Sequence, residues 1–217
     1  MSDFTLHGFA ESGNAYKVAL MLNLTGQSWD VRFVDFFNGE TRTPEFRKGL
    51  NPMGEVPVLE HHRPEGDARL TQSGVILDYL AEETGRFGPK TAEEGREVWR
   101  WVLFDNHKLT GNTATYRFLA RFAPAPEPHV VDFLRKRAWS AFKVLDTHLS
   151  DRRFVVADRL TIADLSLCGY LFFEDELGVD WPGDFPGIAR WLDRLRAQPG
   201  WGHPYDLLPS RPPHLPT

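Results

Sequence analysis

Residues 51–59 read Asn51-Pro52-Met53-Gly54-Glu55-Val56-Pro57-Val58-Leu59. The run ends in a short apolar strand, Val56–Leu59, whose Val56-Pro57 bond can be cis at modest cost. Downstream, the turn-like Arg63-Pro64-Glu65-Gly66-Asp67 leads into a second short strand, Arg69-Leu70-Thr71. Val75, Ile76, Tyr79 and Leu80 then line one helical face, and Gly85 ends it. Upstream, Phe4-Thr5-Leu6-His7-Gly8-Phe9 alternates like a strand. Tyr16, Val18, Ala19, Leu22 and Leu24 recur at helical spacing between Asn14 and Leu24, with Gly26 as the stop. Trp29–Val34 alternates again. The order is βαβ, a short connecting segment, then ββα.

The chain changes character near residue 90. The strand signal disappears and helices are expected at 92–122, 127–149, 161–177 and 186–197, with Pro124, Pro126 and Pro128 separating the first two. The predicted fold is an α/β domain over 1–86, a linker over 87–91, and an all-α helical domain over 92–217. The tail from Pro199 holds 6 of the 16 prolines, so it is expected to be irregular and to lie along the surface.

Composition narrows the function. The 217 residues are 41% hydrophobic and 25% charged, enough apolar material for a sizeable core. Net charge is −5, so the chain lacks the basic surplus of a nucleic-acid or anionic-membrane binder. No apolar run approaches the roughly 18 residues of a membrane span, and no signal peptide is visible at the start. Cys168, the single cysteine, excludes an internal disulfide framework and suggests a cytoplasmic home. Its apolar surroundings, Leu165-Ser166-Leu167-Cys168-Gly169-Tyr170, read as inert core. The eight histidines show no ligand spacing, so no metal is expected.

Four motifs, in this order and at this spacing, resemble the cytosolic glutathione transferases. They are Ser12-Gly13-Asn14-Ala15-Tyr16-Lys17-Val18, the 51–59 run, Gln72-Ser73-Gly74-Val75-Ile76-Leu77-Asp78-Tyr79-Leu80, and Leu160-Thr161-Ile162-Ala163-Asp164-Leu165. The first is similar to the strand–helix junction of serine-type members (theta-, delta- or beta-like). The resemblance implies a thioredoxin-like N-terminal domain followed by a helical bundle. It also implies glutathione as co-substrate, a small-molecule electrophile as second substrate, and a cytoplasmic homodimer.

Site residues follow from the same resemblance. Ser12 is the stabiliser of the glutathione thiolate, at a helix start where the dipole favours negative charge; read alone, it is equally an N-cap serine. One hydrogen bond to the thiolate, worth roughly 1.5–3 kcal/mol, lowers a thiol pKa of ~8.5 by about one to two units. Asn14 and Tyr16 are the alternative donors. Val56 offers backbone N–H and C=O to the cysteinyl residue, and Gln72 with Ser73 receives the γ-glutamyl carboxylate. Positions 54 and 55 are Gly54 and Glu55, where related enzymes often carry a cation or amide, and Glu55 would repel the glycyl carboxylate. Arg42 and Lys48 are the nearest candidate cations. Thr161-x-x-Asp164 is a capping box flanked by Leu160 and Leu165, and is structural.

In the helical half, Asp105 is expected to reach the ligand's amino group across a dimer. Trp101, Phe104, His107 and Tyr116 are expected to line an apolar pocket for the second substrate. Two further readings share the scaffold: glutathione-dependent disulfide or peroxide reduction, which needs no protein cysteine, and a non-catalytic glutathione-binding or interaction protein.

Overall fold

β1 (Phe4–Gly8) turns Phe4, Leu6 and Gly8 into the core and leaves Thr5 and His7 half-buried on the other side, the period-2 alternation of a strand. In the computed structural model, which describes residues 2–210, it is a central strand of a four-stranded mixed sheet of order β2-β1-β3-β4. β2 (Trp29–Phe33) runs parallel to it, pairing Phe4 with Trp29 and His7 with Arg32. β3 (Val58–His61) is antiparallel, pairing Leu6 with Leu59, and β4 (Ala68–Thr71) closes the edge as a hairpin.

α1 (Gly13–Thr25) joins β1 to β2. Ser12 caps it by accepting from the Ala15 N–H, and Gly26 ends it at φ 69°, the left-handed cap that glycine adopts at little cost. Tyr16 to Leu22 are all buried. The helix therefore has hardly any polar face, and its helical spacing in the sequence reflects burial on nearly every side. α3 (Ser73–Thr84) packs beside it. The connecting segment before β3 contains a 3-10 turn (Glu40–Arg42) and α2 (Pro44–Gly49), capped by Thr43 with Pro44 at the first helical position.

Two compact units emerge. One comprises residues 2–84 together with 199–210, the other residues 85–198. The expected second domain, 92–217, therefore differs at its C-terminal end. Gly200 accepts from Asn23 Nδ2 at 2.8 Å, Gly202 from Tyr16 Oη at 3.0 Å, and Pro209 from the Ala10 N–H at 2.9 Å. These bonds, and the contact of a one-turn helix over Pro204–Leu207 with α1, bind the segment to the first unit. Residues 211–217 of the expected irregular tail lie outside the described residues.

The second unit is helical. The expected helix at 92–122 is α4 (Ala92–Phe104) and α5 (Thr110–Arg121), made continuous by a π-helical segment, Asp105–Leu109. α6 (Pro128–His148) matches the second expectation. The third is shorter. α7 (Ile162–Leu167) stops, and α8 (Glu174–Leu177) begins only after a turn. Leu171, Phe172 and Phe173 are all buried, and a run that is apolar on every side carries no period to separate helix from turn. Trp181 Nε1 donates to the Leu171 carbonyl there at 3.0 Å. α9 (Trp181–Asp184) and α10 (Pro186–Arg196) complete the unit. Its core is aromatic around Phe142, whose ring lies 5.1 Å from Trp181, 5.3 Å from Trp139 and 5.7 Å from Phe185. Among the described residues no helix is long and apolar enough to cross a membrane.

Candidate functional site

Three features of the first unit converge at one end of its sheet: the start of α1, the start of α3, and the loop entering β3. Ser12 is buried, with φ −87° and ψ 102°, and its Oγ accepts from the Ala15 N–H at 3.2 Å. That bond uses an oxygen lone pair and leaves the hydroxyl proton to donate elsewhere. Capping and thiolate stabilisation are therefore compatible in one side chain.

Two residues further on, Asn14 Oδ1 lies 3.4 Å from Ser73 Oγ, so the beginnings of α1 and α3 meet through predicted site residues. Ser73 is buried, and Gln72 before it is held at φ 69°. This left-handed conformation is uncommon for a residue other than glycine. Gln72 Nε2 donates to Glu55 Oε2 at 2.9 Å and lies 3.3 Å from Met53 Sδ. Glu55 is thus occupied by an amide within the protein, a partner that the sequence pattern does not reveal.

The Val56-Pro57 bond is cis. Among the described residues, Val56 makes no backbone hydrogen bond within the protein, so one N–H and one C=O are available for an extended ligand. Asn51 braces the loop on both sides, with Nδ2 donating to the Glu55 carbonyl at 2.8 Å and Oδ1 accepting from the Met53 N–H at 3.0 Å.

A cation missed in the sequence lies next to this loop. A side chain built on Gly54 (φ 69°) would meet the Arg47 guanidinium at 2.7 Å and the Thr41 carbonyl at 2.8 Å. Arg47 Nη1 is also 3.4 Å from the Pro52 carbonyl. Arg42, in the 3-10 turn, and Lys48, on α2, are exposed. Nothing couples either one to Gly54 as Arg47 is coupled. The choice depends on which way a six-residue helix presents adjacent basic residues, and so short a helix has no readable period.

Other expected residues are drawn elsewhere. Tyr16 is buried and its hydroxyl donates to the Gly202 carbonyl at 3.0 Å. Asp105 is fully buried in the second unit, where its two oxygens accept from Thr110 Oγ1 and Ser166 Oγ, each at 2.6 Å. Its carboxylate ties the π-helical segment to α7 and does not reach out to a ligand. Trp101 is buried with its ring 4.4 Å from His148, and Tyr116 donates from Oη to the Leu177 carbonyl at 3.1 Å, edge-on to Trp139. Both belong to the core. Phe104 is half-buried against Trp101 at 5.3 Å, and His107 is exposed on the π-helical segment. The four do not form one pocket. No group of three or more His, Cys, Asp or Glu side chains converges as a metal site among the described residues.

Comparison with known proteins identifies the family. The family model for the N-terminal domain of glutathione S-transferases matches residues 2–82, and that for the C-terminal domain matches residues 111–199. "Glutathione S-transferase 2" of Schizosaccharomyces pombe is 31% identical over 92% of this chain and 93% of its own length. The crystal structure of a glutathione S-transferase from Pseudomonas fluorescens superposes with a TM-score of 0.83 at 32% identity, over 93% of this chain and 98% of that one. The transferase URE2P5 of Phanerochaete chrysosporium gives 0.87 at 27% identity, over 95% and 94%. With both family models matched and relatives above 30% identity across nearly its whole length, this chain belongs to the glutathione S-transferase family.

Proposed function

We propose that this protein is a catalytically active glutathione transferase of serine type, working in the cytoplasm as a homodimer on a small-molecule electrophile. Nucleic acid and membrane have no part in it. The observation that carries the reading is the Ser12 hydroxyl at the start of α1, its oxygen engaged with Ala15 and its proton free to donate. Relatives named as glutathione S-transferases at 31–32% identity support glutathione as the co-substrate.

In this reading the Ser12 O–H and the positive end of α1 stabilise the thiolate of glutathione. The thiol proton passes to solvent, sulfur attacks the electrophilic carbon, a C–S bond forms, and any leaving group departs with its electron pair. Val56 holds the cysteinyl backbone by its free N–H and C=O. Ser73, the first N–H groups of α3, and Asn14 receive the γ-glutamyl carboxylate. Gln72 binds Glu55 and so keeps its charge from the glycyl end. Arg47, rather than Arg42 or Lys48, is the cation for the glycyl carboxylate. His107 and Phe104 stay as candidate contacts of the second substrate on grounds of exposure alone.

The test is Ser12→Ala. Thiolate absorbance of bound glutathione, followed against pH, should move its midpoint up by about one to two units, with turnover at neutral pH falling in step. If both midpoint and turnover keep their wild-type values, Ser12 is only a cap and the serine-type assignment is wrong.

A further inference from the structure

Strand alternation turns Leu6 and Leu59 into the core of the first unit and their neighbours His7 and Glu60 to the opposite face. On that face, between the sheet and α2, lies an open cavity of about 460 Å³. That volume lies in the range of small-molecule sites. None of the residues assigned above to glutathione lines it.

Its walls and charges define what it can hold. Phe33, Phe46 and Leu50 supply apolar surface. At the sheet, Glu60 is neutralised. Arg69 donates to its Oε1 from Nε at 3.0 Å and from Nη2 at 2.8 Å, and His7 Nε2 lies 3.0 Å from its Oε2. Arg69 also donates to the Gly49 carbonyl at 2.6 Å, fastening the end of α2 to the sheet beside the cavity. Glu40 accepts the Asp35 N–H on one oxygen, and Thr43 is committed to capping α2. Two lining side chains have no partner among the described residues: the Glu45 carboxylate and the Arg32 guanidinium. With Glu60 matched by Arg69, the lining retains two carboxylates, Glu40 and Glu45, against one cation, Arg32. It is therefore net negative, next to two aromatic rings.

We propose that this cavity is a binding site for a small organic cation, an ammonium group on an apolar or aromatic body. The body packs against Phe33, Phe46 and Leu50, and the ammonium is held by Glu45 with Glu40 behind it. The aromatic faces add cation–π attraction. Arg32 opposes the ligand's charge, so it limits affinity rather than supplying it.

The probes are phenethylamine and 3-phenylpropionate, which share one apolar body and differ in charge. Each is titrated into the full chain at neutral pH, with resonances of Phe33, Phe46 and Leu50 followed by NMR. Phenethylamine should shift these signals saturably, and should do so equally with S-methylglutathione bound, while 3-phenylpropionate should not. Glu45→Gln, at an exposed position of α2, should weaken phenethylamine roughly three- to tenfold, and Arg32→Gln should tighten it about two- to threefold. The proposal is overturned if phenethylamine gives no saturable shift at these residues, if 3-phenylpropionate binds there as well as the amine, if S-methylglutathione displaces the amine, or if Glu45→Gln leaves its affinity unchanged.

Discussion

Gln72 Nε2 donates to Glu55 Oε2 at 2.9 Å, linking the left-handed residue before α3 to the loop that carries the cis proline. The bond joins two segments of the candidate site and, in the proposed binding mode, engages a carboxylate that would otherwise face the anionic end of glutathione. Gln72→Ala should free Glu55 and raise KM for glutathione about three- to tenfold, as expected for a loss near 1 kcal/mol at an exposed site. Glu55→Gln on that background should restore KM, because a neutral amide no longer repels the ligand. Steady-state kinetics on the two variants decides it; a KM that rises and is not restored by Glu55→Gln would mean that Gln72 contacts the ligand itself.

Arg47 gives a complementary test at the same end of the ligand. Its guanidinium packs against Gly54, where a Cβ would meet it at 2.7 Å. Arg47→Ala should raise KM for glutathione by about tenfold with little change in kcat, since the carboxylate it is proposed to hold is remote from the reacting sulfur. Glutathione amidated at its glycyl end should bind wild type and variant alike. If Arg42→Ala has the larger effect, the cation has been misassigned.

The sequence carried the fold because strand alternation, the Gly26 stop and the proline-rich breaks are local signals. Ser12, Asn14, Val56, Gln72 and Ser73 lie at junctions between elements that local pattern marks, but their proposed roles come from the family resemblance and not from the pattern. Other features depended on distant partners. The Gly202 carbonyl that occupies Tyr16 is 186 residues away, and Ser166, which occupies Asp105, is 61 residues away. An aromatic at helical spacing reads the same whether it faces core or ligand, so only the packing of Trp101 and Tyr116 separates them from pocket residues. Arg47 was hidden by the shortness of α2, and residues 199–210 by their lack of any periodic signal.

Tyr16 tests the tail directly. Its buried hydroxyl donates to Gly202 at 3.0 Å. Tyr16→Phe should cost about 0.5–1.5 kcal/mol, read as a Tm lower by a few degrees at roughly 2–4 °C per kcal/mol for a chain of this size. The thiol pKa of bound glutathione should not move. A pKa that rises at unchanged Tm would instead make Tyr16 the thiolate donor.

Asp164 sets two opposing effects against each other. It is fully buried at the start of α7 and accepts from the Val155 N–H at 2.8 Å, the Thr161 N–H at 2.9 Å, Trp191 Nε1 at 2.9 Å and Thr161 Oγ1 at 3.0 Å. The four donors favour the carboxylate, but burial outweighs them and pushes its pKa up to about 6 from 3.8. The folded state then binds the proton more tightly than the unfolded chain does. The stability this supplies is complete below about pH 4 and is lost as pH rises through 6. Between pH 5 and pH 7.5 the loss is on the order of 1 kcal/mol by linkage. Asp164→Asn has no such titration, although it turns an amide N–H toward donors and lowers stability at every pH. Urea unfolding at both pH values should therefore show wild type losing on the order of 1 kcal/mol relative to the variant as pH rises. A difference that stays constant would mean that the four donors keep Asp164 ionised at both values, and that hydrogen bonding outweighs burial at this position.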